Sequence, residues 1–271
     1  MTKKIVSLTP IFEADINLWG TTGLDEEVLE TIAQAKAILL PQIITPELYA
    51  YCRTLNIPVF PNYDWRFRFS GKIGQTLMFK ALRLPTPKTI CIPKIASLGQ
   101  HPQTKKLSMP KFPFIVKGNY GHEGQEVFLI TEKEHWEEAL KYFKMQEREG
   151  FFGFILQEYL PAPYELRVII CGTDLIPVWR ENSDDFKANL AQGGQLIPCP
   201  DKELEAQGLA LIRLLIEKTQ INLAAVDFLV EDKKLLFNEI NYVFGRRALG
   251  GSENFYKLWH KAVISFLKHL K

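Results

Sequence analysis

Apolar positions along the chain recur with period two in short runs and with period three to four in longer ones. The order predicts strands and helices in alternation. Ile5 to Leu8 reads as a strand, Asp25 to Ala35 as a helix, Ala37 to Leu40 as a strand, Pro46 to Leu55 as a helix and Pro58 to Phe60 as a strand. Strands separated by helices imply parallel pairing, so residues 1–70 are expected to form a small α/β unit. Trp65 to Phe69 alternates aromatic residues with arginines, which reads as an edge strand or as interdomain packing. A helix is expected from Ser70-Gly71-Lys72 to Leu82, and a boundary near residue 70.

Past Pro85 the pattern changes. Thr89 to Ile92 is extended, Gln100 to Lys111 is a Pro-rich basic loop, and Phe112 to Lys117 is a strand ending in a lysine. The glycine loop Gly118 to Gly124 joins it to another apolar run, Val127 to Ile130, and a helix follows from about Glu132 to Glu147. These glycines connect two strands. They do not open a helix, as a Walker loop or a dinucleotide fingerprint requires. A flap whose backbone N–H groups close over phosphates, with Lys117 as a point charge, is one use for them; a plain surface turn is the other.

A good hairpin signal spans Glu165 to Ile170 and Leu175 to Arg180 around the turn Cys171 to Asp174, and Arg167 and Arg180 lie on its strands. An arginine in an apolar strand is either paired with a carboxylate or used to bind an anion. Lys202 to Gln220 is an amphipathic helix, and the final helix runs from Glu253 to Leu270 with Ser252 as its expected N-cap.

The chemistry is densest between these helices. In Ala224 to Gly245, Asp227 sits on one strand of a second hairpin, while Glu239 and Asn241, two apart, project from one face of the other. Two carboxylates and an amide facing each other suit magnesium, a hard cation that takes oxygen ligands and leaves positions for phosphates. A solvated hairpin is the competing reading, and the surrounding Ala, Val, Leu and Phe residues argue against it, because buried charge without a partner is costly.

With 46% hydrophobic and 24% charged residues the composition is globular, and 33 basic against 31 acidic residues argue against a whole-surface hold on nucleic acid. Cys52, Cys91, Cys171 and Cys199 lack zinc spacing and suggest a reducing interior. The five histidines are scattered without ligand spacing, and only His122 falls near the proposed chemistry. No apolar run reaches the ~20 residues of a membrane span, so a cytoplasmic location is expected.

Taken in order, GKIGQTLMFKALRLPTPKT, PFIVKGNYGHEGQEVFLI, ILQEYLPAPYELRVIICGTDLIPVWREN, FKANLAQGG and DFL…FNEIN resemble the ATP-grasp superfamily over about Lys72 to Asn241. The resemblance is strongest to the branch of the ribosomal-protein glutamate ligase; glutathione synthetase and D-alanine:D-alanine ligase are more distant. It implies an α/β (α+β) ATP-grasp fold, with a pre-ATP-grasp domain over 1–70, the ATP-grasp domain over 71–271 and a lid at about 85–157. It also implies that Lys72 and Lys117 contact ATP phosphates under the loop that includes Gly121 and Gly124. Gln157, Glu158, Tyr159 and Leu160 would border adenine, and Glu165 would hold the ribose. Asp227, Glu239 and Asn241 would ligate magnesium, with manganese as the related alternative. Arg167, Arg180 and Lys187 fall at basic positions near the transferred phosphate and the acyl substrate. Outside the resemblance, Arg246, beside a glycine-rich turn in the tail, is a further candidate for holding a substrate carboxylate, with a solvated loop or an interdomain ion pair as the other readings.

The implied activity joins a small-molecule or peptide carboxylate to an amine through an acylphosphate, with neither nucleic acid nor membrane as partner and a homo-oligomer left open. Gly71, Ala191 and Gln192 depart from the glutamate-ligase pattern. These departures keep two alternatives: an ATP-binding regulatory protein without ligation, and a small-molecule kinase on the same fold.

Overall fold

The computed structural model describes residues 4–20, 23–98, 110–121, 126–181 and 195–270. The first of its three sheets is parallel. It contains β1 (Ile5–Ser7), β2 (Ile16–Asn17), β3 (Ala37–Leu39) and β4 (Val59–Phe60) in the order β2-β1-β3-β4, with α1 (Glu26–Ala33) and α2 (Pro46–Thr54) as its crossovers. Asp25 starts α1 and Thr45 starts α2 by accepting N–H bonds from Val28 and Leu48, and Pro46 stands at the first position of α2, where a missing N–H costs nothing.

Trp65 to Phe69 is not an edge strand. α3 (Asp64–Arg68) is a short helix, and Trp65 stacks on Phe69 four residues on, at 5.3 Å between centroids. A period of two contains a period of four, so the alternation that suggests a strand also places aromatics on one helix face. The packing half of the expectation holds: Phe67, Trp65 and Phe69 lie against the main core.

α4 (Gly71–Ala81) leads into the second sheet, whose strands β5 (Thr89–Ile92), β6 (Phe114–Gly118), β7 (Val127–Ile130) and β8 (Phe154–Glu158) run in the order β5-β8-β6-β7. α5 (Lys133–Arg148) covers one side, packing Ala139 and Phe143 on Phe114, Val116, Phe154 and Leu156. The strands on either side of the glycine loop, β6 and β7, pair antiparallel as a hairpin.

The third sheet is antiparallel and holds β9 (Tyr164–Cys171), β10 (Asp174–Glu181), β11 (Leu196–Ile197), β12 (Leu223–Glu231) and β13 (Lys234–Asn241) in the order β11-β10-β9-β12-β13. Between β11 and β12 runs α6 (Lys202–Thr219), and α7 (Ser252–Lys268) closes the chain. One face of this sheet, with Leu166, Val168, Trp179, Val226, Phe228, Phe237 and Ile240, is covered by Leu204, Ile212 and Leu215 of α6. The other face is divided. Ile169, Val178, Leu223 and Ala225 lie under Phe255, Trp259, Ala262 and Val263 of α7, together with Leu39 and Phe60 of the parallel sheet. Two residues further along the same strands and on the same face, the side chains are polar. Gly172 lets α7 settle this low: its φ is +61°, and a Cβ there would lie 2.6 Å from that of Ala262. Ser252 is the first residue of α7 rather than its cap; Gly251 occupies the cap position without a side-chain bond.

Candidate functional site

The polar half of that face is built by strand register. Arg180 on β10 stands opposite Glu165 on β9, Arg167 on β9 opposite Asp227 on β12, Asp227 opposite Glu239 on β13, and Ala225 opposite Asn241. Glu165 and Arg167, and likewise Glu239 and Asn241, are two apart, so six polar side chains from four strands share one surface.

Arg167 meets Asp227 fork to fork, Nε to Oδ1 at 2.6 Å and Nη2 to Oδ2 at 2.7 Å. Arg180 reaches the same Oδ1 at 3.4 Å and ion-pairs with Glu165, while Asn241 Nδ2 donates to Asp227 Oδ2 at 3.0 Å. One guanidinium, Arg180, thus serves two buried carboxylates. Burial pushes both up, but Asp227 has Arg167 as well and ends below its ordinary value, whereas Glu165 is raised to about 7. Of the two, Glu165 therefore takes a proton first, and they titrate as a linked pair.

Two lysines face this row from other elements. Lys72, in the first turn of α4, donates to the Gly121 carbonyl at 2.7 Å and lies 3.7 Å from Glu239 Oε1. Lys117, near the end of β6, donates to Asn238 Oδ1 at 2.8 Å. Desolvation pulls its pKa down to about 8, against the opposing pull of Glu239. Asn238 reaches this surface because the β12–β13 register shifts between Asp227 and Phe228, so that Phe228 faces Phe237 and Asn238 is left as the extra residue of a bulge.

Two further residues hold the lysines and carboxylates in place. Asn119, in the glycine hairpin, caps α4 from outside: its carbonyl accepts from Lys72 N–H at 2.9 Å and its Oδ1 from Ile73 N–H at 3.0 Å. Gly71 has a φ of +70°, and a Cβ on it would collide with Asn119, which accounts for glycine at this departure from the glutamate-ligase pattern. Gln75, one turn on, pairs with both the N–H (2.8 Å) and the carbonyl (2.9 Å) of Ile240, the residue between Glu239 and Asn241. β13 is an edge strand, and Gln75 satisfies its open backbone where it carries the proposed ligands. Asn238, Asn119 and Gln75 escape a sequence reading because their roles are contacts between distant segments; a polar residue directly after Leu235-Leu236-Phe237 was the one available signal.

The expected adenine border falls on the connection from β8 to β9. Gln157 is buried and donates to Thr89 Oγ1 at 3.3 Å, Glu158 accepts from Lys88 N–H at 2.6 Å, and Tyr159 and Leu160 lie half-buried just beyond β8. Arg246 stands apart from the polar row. Its Nη1 donates to Tyr256 Oη at 2.9 Å and Ser252 Oγ at 3.2 Å, and its guanidinium packs over Phe255 at 4.6 Å. Lys187, Gly124, His122, Ala191 and Gln192 lie outside the described residues. A recess of about 690 Å³ bordered by Tyr256, His260 and Ile264 runs along the exposed side of α7 and includes none of the row's side chains.

Among the described residues no group of three or more His, Cys, Asp or Glu side chains is placed to hold a metal ion, so a cation here would rely on the amide of Asn241 and on ligand oxygens as well. Two carboxylates and an amide are a hard-oxygen set, which suits magnesium. Glu239 is the more open of the two carboxylates, with its side chain 30% exposed, while Asp227 has both oxygens engaged by Arg167 and would share one.

The profile of the family described as "RimK-like ATP-grasp domain" matches residues 78–252. In sequence, the chain is 27% identical over 135 residues to the uncharacterized protein MG012 homolog of Mycoplasma pneumoniae. That match spans 48% of this chain and only 43% of the curated relative. In structure, it is similar to D-alanine--D-alanine ligase from Bacillus anthracis complexed with ATP, with a TM-score of 0.64 and 16% identity over 94% of this chain and 86% of that one. It is similar also to a RimK domain ATP-grasp protein from Sphaerobacter thermophilus, with a TM-score of 0.59 and 15% identity over 96% and 98% of the two chains. N5-carboxyaminoimidazole ribonucleotide synthetase from Thermus thermophilus gives 0.58 and 18% over 89% of this chain but 64% of that one. The three-sheet α/β architecture is the ATP-grasp fold. With the family profile covering more than half its length, the chain belongs to the RimK-like ATP-grasp family.

Proposed function

We propose that the protein is an ATP- and magnesium-dependent ligase that joins a carboxylate to an amine. The observation that carries this reading is the meeting of Asp227, Glu239 and Asn241 on one surface with Lys72 and Lys117 above it. The chain would work as two units divided near residue 70, with residues of about 85–157 as a lid.

Glu239, Asn241 and a shared oxygen of Asp227 would hold magnesium, which supplies charge neutralisation at the terminal phosphates. Lys72 and Lys117 exchange their present partners, the Gly121 carbonyl and Asn238, for phosphate oxygens. Gln157 to Leu160 border adenine, and Glu165 reaches the ribose by giving up part of its pairing with Arg180. A substrate carboxylate oxygen attacks the γ-phosphorus and ADP leaves; the amine then attacks the acyl carbon, phosphate leaves, and the amine loses a proton. Arg167 and Arg180 face the group in transfer and offset its charge. Little acid–base machinery is required, in keeping with a polar row that contains no histidine, serine or cysteine.

The test is ADP release across a panel of acids and amines. Turnover that needs one acid and one amine together, and that disappears in Glu239→Gln, supports the ligase. Tight ATP binding without turnover supports the second reading, an ATP-binding regulator. That reading is favoured by one observation, the engagement of both Asp227 oxygens by Arg167.

A further inference from the structure

The outer side of α7 takes no part in the polar row. Phe255, Trp259, Ala262 and Val263 of this helix face the third sheet, and the opposite stripe carries Glu253, Tyr256, His260, Ile264 and Lys268. Steps of three and four residues put these five side chains on one line. Every described residue that borders the recess of about 690 Å³ along this line belongs to α7, so among the described residues no other element covers it.

Two side chains of the stripe are large and apolar. Tyr256 is 39% and Ile264 46% exposed, and they stand two turns apart with His260 midway between them. Tyr256 is also held in place from within the chain, since Arg246 donates to its hydroxyl at 2.9 Å and lies 5.0 Å from its ring centroid. An aromatic side chain fixed in advance loses little entropy when a partner covers it.

The charges indicate which partner. Glu253 stands at the start of the stripe and Lys268 at its end. Beside the line, Lys257 pairs with Glu253 at 2.7 Å and Lys261 with Asp174 at 2.6 Å, and His260 Nε2 donates to the Ile11 carbonyl at 2.6 Å. Among the described residues no carboxylate pairs with Lys268. When α7 is laid antiparallel on a second copy of itself about a two-fold axis at His260, Tyr256 meets Ile264 of the other copy, and Glu253 comes within one residue of Lys268 of the other copy. The two kinds of pair ask for the same axis: the midpoint of Tyr256 and Ile264 is His260, and that of Glu253 and Lys268 falls between His260 and Lys261. A parallel arrangement sets each end charge against its like. We infer that the outer stripe of α7 is the self-complementary interface of a two-fold dimer of this chain, with the two helices antiparallel. The inference is independent of the ligase reading. A helix of 17 residues is about 25 Å long, so the contact lies at the low end of specific interfaces, roughly 1,200 Å² in total or less, and the dimer is weak.

The experiment is sedimentation velocity on the 271-residue chain from about 1 to about 200 μM. The expected result is a monomer at the low end that becomes a dimer toward the high end. Ile264→Asp stays monomeric throughout, with a thermal unfolding midpoint close to that of the parent because the side chain it replaces is exposed. Glu253→Lys and Lys268→Glu each weaken the dimer about tenfold at low salt. Mixed in equal amounts, these two variants associate again, since in a mixed pair each introduced charge faces the other and each native charge faces its native partner. A parent chain that is monomeric at every concentration overturns the assignment and leaves the stripe to a different partner. A dimer that survives Ile264→Asp, or charge variants that do not associate on mixing, overturns it as well by placing the contact elsewhere.

Discussion

Lys117 on β6 and Asn238 on β13 join two different sheets through one hydrogen bond of 2.8 Å, and a β-bulge creates it by turning Asn238 toward the lysine. The bond ties the second sheet to the sheet that carries the proposed metal residues. With a triphosphate bound, phosphate oxygens offer the ammonium a stronger partner than an amide.

Removing Asn238 should therefore matter most to the nucleotide-free protein. Asn238→Ala leaves the Lys117 ammonium without its acceptor and is expected to lower stability by about 1–3 kcal/mol. Urea unfolding with and without an ATP analogue checks this. The loss should shrink when the analogue is present, and an equal loss in both states rules out exchange of Lys117 between Asn238 and phosphate.

Lys117 also gives a pH signature. The folded chain releases this proton near pH 8, while an ordinary lysine holds it to 10.5. Between those values the unfolded chain binds more protons, so the lysine's contribution opposes folding below pH 8 and is relieved as pH rises through the window. In the folded chain its positive charge disappears around pH 8. Affinity for an ATP analogue should fall about tenfold from about pH 7.5 to about pH 9.5, and Lys117→Met should weaken binding and flatten the profile. An unchanged slope in that variant would assign the titration to another group.

The proposed metal residues should separate into two kinds. Asp227→Ala strips the half-buried Arg167 and the buried Arg180 of their shared carboxylate and is expected to cost about 3–5 kcal/mol. Glu239→Gln touches a more open side chain whose nearest cation is 3.7 Å away, and stability should stay within about 1 kcal/mol while magnesium-dependent ADP release is lost. Thermal unfolding alongside ADP release distinguishes the two; a large stability loss in Glu239→Gln would make that residue structural.

Gln75 should behave as a positioning residue. Gln75→Ala frees both backbone polar groups of Ile240 and is expected to cost about 1–3 kcal/mol. Because Glu239 and Asn241 flank that residue, the magnesium concentration for half-maximal turnover should rise with the KM for ATP. Gln75→Glu keeps one acceptor and should recover part of the stability. A stability loss with an unchanged magnesium requirement would confine Gln75 to packing.

The elements were legible in the sequence wherever one periodicity dominated. The hairpins around Asp174 and Asp232, the helices at Lys202 and Ser252 and the parallel first sheet follow from local pattern, because side chains that alternate or recur at helical spacing leave the backbone one way to bury them. Where two periods coincide, as from Trp65 to Phe69, pattern could not choose, and stacking of residues four apart decided for a helix. β2 and β11 are two residues each and too short to carry any period.

For the site, sequence alone determined that Glu239 and Asn241 share a face, since that is fixed by their spacing on one strand. It also placed Arg167 and Arg180 on paired strands. Only the tertiary structure decided that Arg167 grips Asp227, that Arg180 divides itself between Asp227 and Glu165, and that Lys117 rests on Asn238. Those pairs lie 60, 47, 15 and 121 residues apart in the chain. Spacing along one strand is set by covalent geometry, whereas register between strands and the shift at a bulge are set by which apolar faces find cover. In this chain α6, α7 and the parallel sheet bury the rest of the third sheet, and the polar row occupies the part they leave open.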